Sequence, residues 1–167
     1  MSVTEHKSHA PASVACFVLT VSDTRTLDTE TSGRAIAELL TSAGHTVVDR
    51  QLVKDEPAAV QHVLRAEMAR GRARAIITTG GTGISRRDST FEAITGMLDK
   101  RLDGFGELFR MLSYQEIGSA AMLSRATAGI ASGCVIFMLP GSEAAVRLGV
   151  SRLILPELGH IVRELTK

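Results

Sequence analysis

Three times between Val14 and Leu98 the chain passes from a short apolar run to a segment of helical periodicity, and this alternation limits the fold more than any other feature. The run Val14 to Val21 is continuous and apolar and stops at Ser22-Asp23, as a strand buried on both faces would. Ile36, Leu39, Leu40 and Ala43 then fall on one helical face, and Gly44 follows where a C-cap belongs. In the second unit, Asp49 and Arg50 interrupt Thr46 to Val53, which places that strand nearer the sheet edge. Asp55 comes next, Pro57 suits a first helical turn, Val60, Val63, Leu64 and Met68 supply an apolar face, and Gly71 ends it. The third unit runs from Ala73 to Thr79, breaks at Gly80-Gly81-Thr82-Gly83, and resumes as a helix carrying Phe91, Ile94 and Leu98, with Ser89 and Glu92 spaced as a capping box.

Beyond this the pattern is less regular. Phe105, Leu108, Phe109 and Leu112 are helical in spacing, and Ile117 to Leu123 continues or restarts that helix after Gly118. Ser132-Gly133 between two apolar segments predicts a hairpin within Thr127 to Leu139, ending at Pro140-Gly141-Ser142. Two helices close the chain: Glu143 to Leu155, and beyond Pro156 one bearing Leu158, Ile161, Val162 and Leu165. Parallel strands require helical crossovers, so the expected fold class is α/β: a single-domain, mostly parallel open sheet with helices on both faces and a β-hairpin element. At 167 residues the chain suits one domain. Residues 14–167 are assigned to it and residues 1–13 to a flexible N-terminal arm.

Composition narrows the function. A formal charge of +1 supplies no field for non-specific binding to nucleic acid or anionic membrane, so neither is expected as a partner. No apolar stretch is long enough to span a bilayer, and the expected location is the cytoplasm. Cys16 and Cys134 stand far apart without metal-ligand spacing and read as reduced core thiols.

Ligands of open α/β sheets bind beyond the carboxyl ends of the strands. Four segments should emerge on that edge: Ser22-Asp23, Asp55, Gly80 to Asp88, and Pro140-Gly141-Ser142. They hold acids, hydroxyls and small residues, a composition suited to an anion held by backbone amides beside carboxylates that take a cation. Gly80, Gly81, Thr82 and Gly83, directly after a buried strand, could turn successive N–H groups toward a phosphate, with the Thr79 and Thr82 hydroxyls as further donors. No GK[ST] follows, which excludes a Walker A loop, and Arg86 stands where a dinucleotide fingerprint needs its third glycine. No serine lies in a G-x-S-x-G elbow. Asp88 could cap a helix, but Ser89 with Glu92 is expected to do so, which frees Asp88 as a Mg²⁺ ligand. Asp55 stands open between a Mg²⁺ ligand and an acid that merely favours a helix N-terminus. Ser22-Asp23 could equally be a helix-entry turn, and Gly104-Phe105-Gly106-Glu107 either a helix start or a wall against a flat ligand.

Val21-Ser22-Asp23-Thr24, Thr78 to Gly83 with Arg87-Asp88-x-Thr90, Gly104 to Glu107, Glu116-Ile117-Gly118 to Ser124-Arg125-Ala126, and Leu139 to Ser142 together resemble the molybdopterin-binding MoaB/Mog family. The chain's shortness and its Leu155-Pro156-Glu157-Leu158 ending are more similar to the protein B branch than to the longer MogA branch. The resemblance implies a molybdopterin adenylyltransferase that uses Mg²⁺ and ATP, in which the terminal phosphate of molybdopterin attacks the α-phosphate of ATP and pyrophosphate leaves. It implies Asp55 and Asp88 as the catalytic, Mg²⁺-handling pair. Gly80, Gly81, Thr82 and Gly83 become the phosphate cradle with Pro140, Gly141 and Ser142 nearby, and Ser22, Asp23 and Glu107 belong to the shared pocket. It further implies a homotrimer or homohexamer, and other molybdenum cofactor enzymes as partners. The alternative is a non-catalytic protein of the same fold that binds molybdopterin or its precursor.

Overall fold

From Cys16 to Val21 every residue is buried, and the run forms the middle and end of β1 (Ala15–Val21) at the heart of the sheet. The computed structural model describes residues 2–167; Met1, where the expected arm begins, and the side chain of His6 lie outside the described residues. The chain continues through α2 (Ser32–Ser42), β2 (Thr46–Val53), α3 (Pro57–Arg70), β3 (Ala75–Thr79), α4 (Thr90–Thr95), β4 (Lys100–Arg101) and α5 (Asp103–Ile117). A 3₁₀ turn (Gly118–Leu123), β5 (Thr127–Ala131), β6 (Cys134–Leu139) and α6 (Glu143–Gly149) follow, then a π turn (Val150–Ile154) and α7 (Leu155–Leu165). A short helix, α1 (Val3–Ser8), precedes them, closed by a Ser2–Glu5 capping box and paired through Lys7 with Glu157 of α7.

The six strands lie in the order β2-β1-β3-β6-β5-β4. β2, β1, β3 and β6 are parallel, whereas β5 runs antiparallel to both β6 and β4. The fold is therefore α/β with a mostly parallel sheet and a hairpin, as the alternation of elements predicted. Alternate residues of β1 feed two cores. Cys16 and Val18 join α2, α5, α6 and α7 on one face, while Phe17, Leu19 and Val21 join α3 and α4 on the other. Burying one such side chain contributes about 1.5–3 kcal/mol, which is why both faces must be covered.

Register decides where chemistry can happen. Val21 pairs with Val53, Thr20 with Thr79, and Thr79 with Leu139, so four parallel strands end at one level. Everything beyond those residues opens on a single rim.

Local details differ from expectation in three places. α4 ends at Thr95 instead of reaching Leu98, and two charged residues form a short edge strand, β4, that no apolar pattern announced. Pro156 does not separate two helices: α6, the π turn and α7 follow one another directly, and the proline sits where the π turn passes into α7, so its missing N–H interrupts the backbone ladder without ending the helical path. The hairpin turns at Ser132 and Gly133, both with positive φ, as a type I′ connection requires.

Candidate functional site

Where β3 ends, the backbone swings sharply over the rim. Gly80 (φ 95°) and Gly81 (φ 69°) both adopt left-handed conformations, and neither position has space for a side chain. A Cβ on Gly80 would lie 2.1 Å from the Val21 carbonyl oxygen, and one on Gly81 would lie 2.0 Å from Thr90 Oγ1. Gly80 N–H still donates to the Leu139 carbonyl. The next four N–H groups, of Gly81, Thr82, Gly83 and Ile84, make no hydrogen bond to any described residue. Consecutive unpaired amides of this kind form a concavity suited to an anion.

Two aspartates flank this turn. Asp55, just past β2, is buried, and its Oδ1 accepts from Ser89 N–H (3.2 Å), Ser89 Oγ (2.9 Å) and Thr90 Oγ1 (3.0 Å). Its Oδ2 stands 3.0 Å from the Cβ position of Gly81. Asp88 accepts on Oδ2 from Ser85 N–H (3.1 Å) and Ser85 Oγ (2.6 Å), and the same oxygen lies 2.5 Å from the Cβ position of Gly83. Asp55 Oδ2 and Asp88 Oδ1 accept no hydrogen bond from the described residues, so one oxygen of each carboxylate is available. Among the described residues no group of three or more His, Cys, Asp or Glu is placed to hold a metal alone. Two carboxylate oxygens beside an anion site do fit Mg²⁺, which is commonly held by one or two carboxylates and the phosphates of its substrate.

Ser89 departs from expectation. Its hydroxyl donates to Asp55 and caps nothing, while Glu92 pairs with Arg125, so the capping box does not form. The physical reason is that the Ser89 hydroxyl is turned to donate to the Asp55 carboxylate and so does not face the first-turn N–H groups of α4, from which a capping oxygen would accept. Thr79 likewise spends its hydroxyl on the Pro140 carbonyl (2.9 Å) and ties β3 to the end of β6.

Two arginines fix the loop from outside. Arg87 donates to both oxygens of Asp23, Nε to Oδ2 at 2.8 Å and Nη2 to Oδ1 at 3.2 Å, and that hydrogen bonding holds the Asp23 carboxyl below its usual range. Asp23 Oδ1 also accepts from Asp55 N–H (3.1 Å), which links the ends of β1 and β2. Arg125, just before β5, donates from Nε to the Thr82 carbonyl (3.0 Å), from Nη2 to the Gly83 carbonyl and from Nη1 to Glu92, and lies 4.6 Å from the centre of the Phe91 ring. Arg125 depresses the Glu92 pKa.

Gly80, Gly81, Thr82, Gly83 and Asp88 face Pro140, Gly141 and Ser142 across a cleft of about 440 Å³ whose far wall is Phe109, Ile117 and Leu123. Ser22 lies in a smaller adjoining hollow of about 170 Å³, with Thr31, Ser32 and the buried Glu30, and Gly141 borders both. Glu30 accepts from Gly33 N–H (2.7 Å) and Thr20 Oγ1 (3.2 Å) and pairs with Arg50 of β2. Glu107 is not brought to the cleft. It lines a hollow of about 350 Å³ on the other side of the loop, with Arg110 and Arg125. Asp55 is on no cleft wall but directly beneath the loop. Glu30, Arg50, Ser89 and Arg125 were not expected from spacing. Only the interruption of β2 by a charged pair hinted at Arg50.

Residues 17–160 match the family described as a probable molybdopterin binding domain. Molybdenum cofactor biosynthesis protein B of Halalkalibacterium halodurans is 53% identical over 168 residues, covering 100% of this chain and 99% of its own. The protein of that name from Bacillus subtilis is 51% identical with the same coverage. Among solved structures, a molybdenum cofactor biosynthesis protein B superposes with a TM-score of 0.91 at 50% identity, covering 95% of this chain and 99% of that one. The tungsten cofactor synthesizing protein MoaB of Pyrococcus furiosus superposes with a TM-score of 0.81 at 41% identity, covering 95% and 100%.

Proposed function

This chain belongs to the molybdopterin-binding MoaB/Mog family of molybdenum cofactor biosynthesis, and on that premise we propose that it adenylylates molybdopterin with Mg-ATP. The observation that carries the reading is the row of four unpaired amides bracketed by two carboxylates, each with an uncommitted oxygen. The amides of Gly81 to Ile84 bind phosphate oxygens, and Asp55 and Asp88 hold the Mg²⁺. Bound there, the metal would neutralise phosphate charge. No nucleophile from the protein is needed, because the substrate supplies it. The terminal phosphate oxygen of molybdopterin forms a bond to the α-phosphorus of ATP, the bond from that phosphorus to the α,β-bridging oxygen breaks, and pyrophosphate leaves. The task of the chain is to align the two phosphates and stabilise the charge that develops between them. The reading places the work in the cytoplasm.

The test is incubation with molybdopterin, Mg²⁺ and α-labelled ATP. Label should appear on the pterin, and Asp88→Asn should reduce it by on the order of 10²-fold or more. ATP turnover indifferent to the pterin would refute the transfer. A second reading, retention of molybdopterin without transfer, draws on the burial of Asp55 beneath the loop. It requires pterin binding without an adenylylated product.

Assembly into trimers or hexamers forms part of the same proposal, and α5 supplies a face for it. Leu108, Met111, Tyr114, Ile117, Met122 and Leu123 are 48% to 75% exposed along that helix and the turn after it. Together they give one helix and the turn after it six exposed apolar side chains, the kind of surface that marks a protein–protein interface. A second copy is the occupant that fits, since a formal charge of +1 opposes self-association hardly at all.

A further inference from the structure

The glycine-rich loop has two sides, and only one has been given a function so far. The amides of Gly81 to Ile84 are unpaired, whereas the carbonyls of Thr82 and Gly83 both accept from Arg125. In a trans peptide the C=O and the following N–H point in opposite directions. A group that pins the Thr82 and Gly83 carbonyls therefore also sets where Gly83 N–H and Ile84 N–H point. Arg125 lines the hollow behind the loop, while Thr82 and Gly83 line the cleft in front of it, so the pinned direction is toward the cleft.

We propose that Arg125 is a positioning residue of the phosphate site, a guanidinium clamp that holds the anion-binding amides in place without touching the ligand. The proposal rests on the phosphate reading given above. The clamp is itself held. Nη1 pairs with Glu92, and the guanidinium lies 4.6 Å from the centre of the Phe91 ring, both from α4. Three directions of hydrogen bonding plus a stacked plane suit arginine specifically; a lysine ammonium in the same place reaches one carbonyl and cannot stack. The chain reaches across 42 and 43 residues to make these contacts, so no local turn preference explains them. Unpaired amides lose little by turning away from the cleft to water, and without Arg125 nothing else among the described residues bonds the Thr82 and Gly83 carbonyls.

The test compares the full-length wild type with Arg125→Lys and Arg125→Ala in binding Mg-ATP and, separately, adenosine, with the urea midpoint of each recorded. Arg125→Ala should weaken Mg-ATP by ~10- to 100-fold and Arg125→Lys by less, as loss of an outer partner does at other binding sites, while adenosine binding changes less than about twofold. Arg125→Lys keeps the charge, and its urea midpoint should stay near wild type. An equal fall for ATP and adenosine would show a merely structural role and overturn the proposal. Wild-type binding of ATP by both variants would overturn the part given to Arg125 alone. A wild-type protein that binds no ATP would overturn the phosphate reading and this inference together.

Discussion

Asp55 anchors Ser89 and Thr90 and, on the proposed function, holds Mg²⁺, and paired substitutions divide the two. Alanine removes the acceptor of three hydrogen bonds at once. Thr90 is fully buried, so its hydroxyl is left without a partner at a cost of about 1–3 kcal/mol. The Ser89 N–H and hydroxyl are only part-buried and can turn to water, losing about 0.5–1.5 kcal/mol each. The expected total for Asp55→Ala is about 4 kcal/mol, or a fall in Tm on the order of 8–16 °C for a chain of this length. Asparagine keeps an acceptor in the Oδ1 position and loses only the charge assistance, about 1–2 kcal/mol. The chain has no tryptophan, so urea unfolding at pH 7 is followed by far-UV circular dichroism. Stability should rank wild type, Asp55→Asn, Asp55→Ala. Pyrophosphate release should instead fall in both variants by on the order of 10² or more, because both lose the anionic oxygen that faces Gly81. Alanine within about 1 kcal/mol of wild type would refute the anchoring role, since even one stranded hydroxyl should cost that much. An Asn variant with undiminished transfer would refute the metal role.

Three further outcomes follow from features elsewhere. The Glu92 carboxyl is held below its unfolded value by Arg125, so its contribution is complete above about pH 4.3 and is lost as pH falls through the lower folded value. Wild type should therefore exceed Glu92→Gln in urea stability at pH 7 by at most about 1 kcal/mol, Glu92 being largely exposed, and the gap should close as pH falls below the ordinary glutamate range; a gap that widens on acidification would contradict the pairing. Burial pushes the Cys16 thiol up to about 12 and raises that of Cys134, so a thiolate-directed reagent should label neither in the native protein and both in urea; prompt native labelling would mean the core opens there. If the proposed assembly forms through α5, charged residues in place of Met111 and Tyr114 should convert it to monomers in sedimentation without lowering the urea midpoint, and an unchanged sedimentation coefficient would exclude the α5 face as the interface.

Much of the rim was legible because it depends on local sequence. An uninterrupted apolar run such as Val14 to Val21 has few folds open to it, and three glycines immediately after another such run can only be a tight turn at a strand end. From those two facts the placement of Gly80 to Gly83, Asp88 and Gly141 at one cleft follows. Asp55 was located correctly after β2, but nothing local says that its partners are Ser89 and Thr90, which are 34 and 35 residues away. The failed capping box has the same origin: spacing identifies Ser89 as a cap, and only the folded chain brings a carboxylate to compete for it. Glu107 shares a helix with Phe109, yet it faces the opposite side of the loop from the cleft that Phe109 lines, a distinction that depends on how α5 is rotated against the sheet. α1 and β4 escaped because both are short and polar, and each exists through contacts with distant elements.

Both margins of the sheet carry charge where it matters for solubility. On one side the outermost strand, β4, is only Lys100 and Arg101, too brief and too cationic to template another strand. On the other, β2 is eight residues long and its outer edge has no partner strand, but Asp49 and Arg50 stand midway along it. Arg50 also reaches inward to Glu30, so the residue that keeps this edge from zipping onto a neighbour is the same one that neutralises a buried acid near the rim. A hydrophobic replacement at Arg50 would thus expose the chain to two failures together, fibrous self-pairing outside and a stranded charge within.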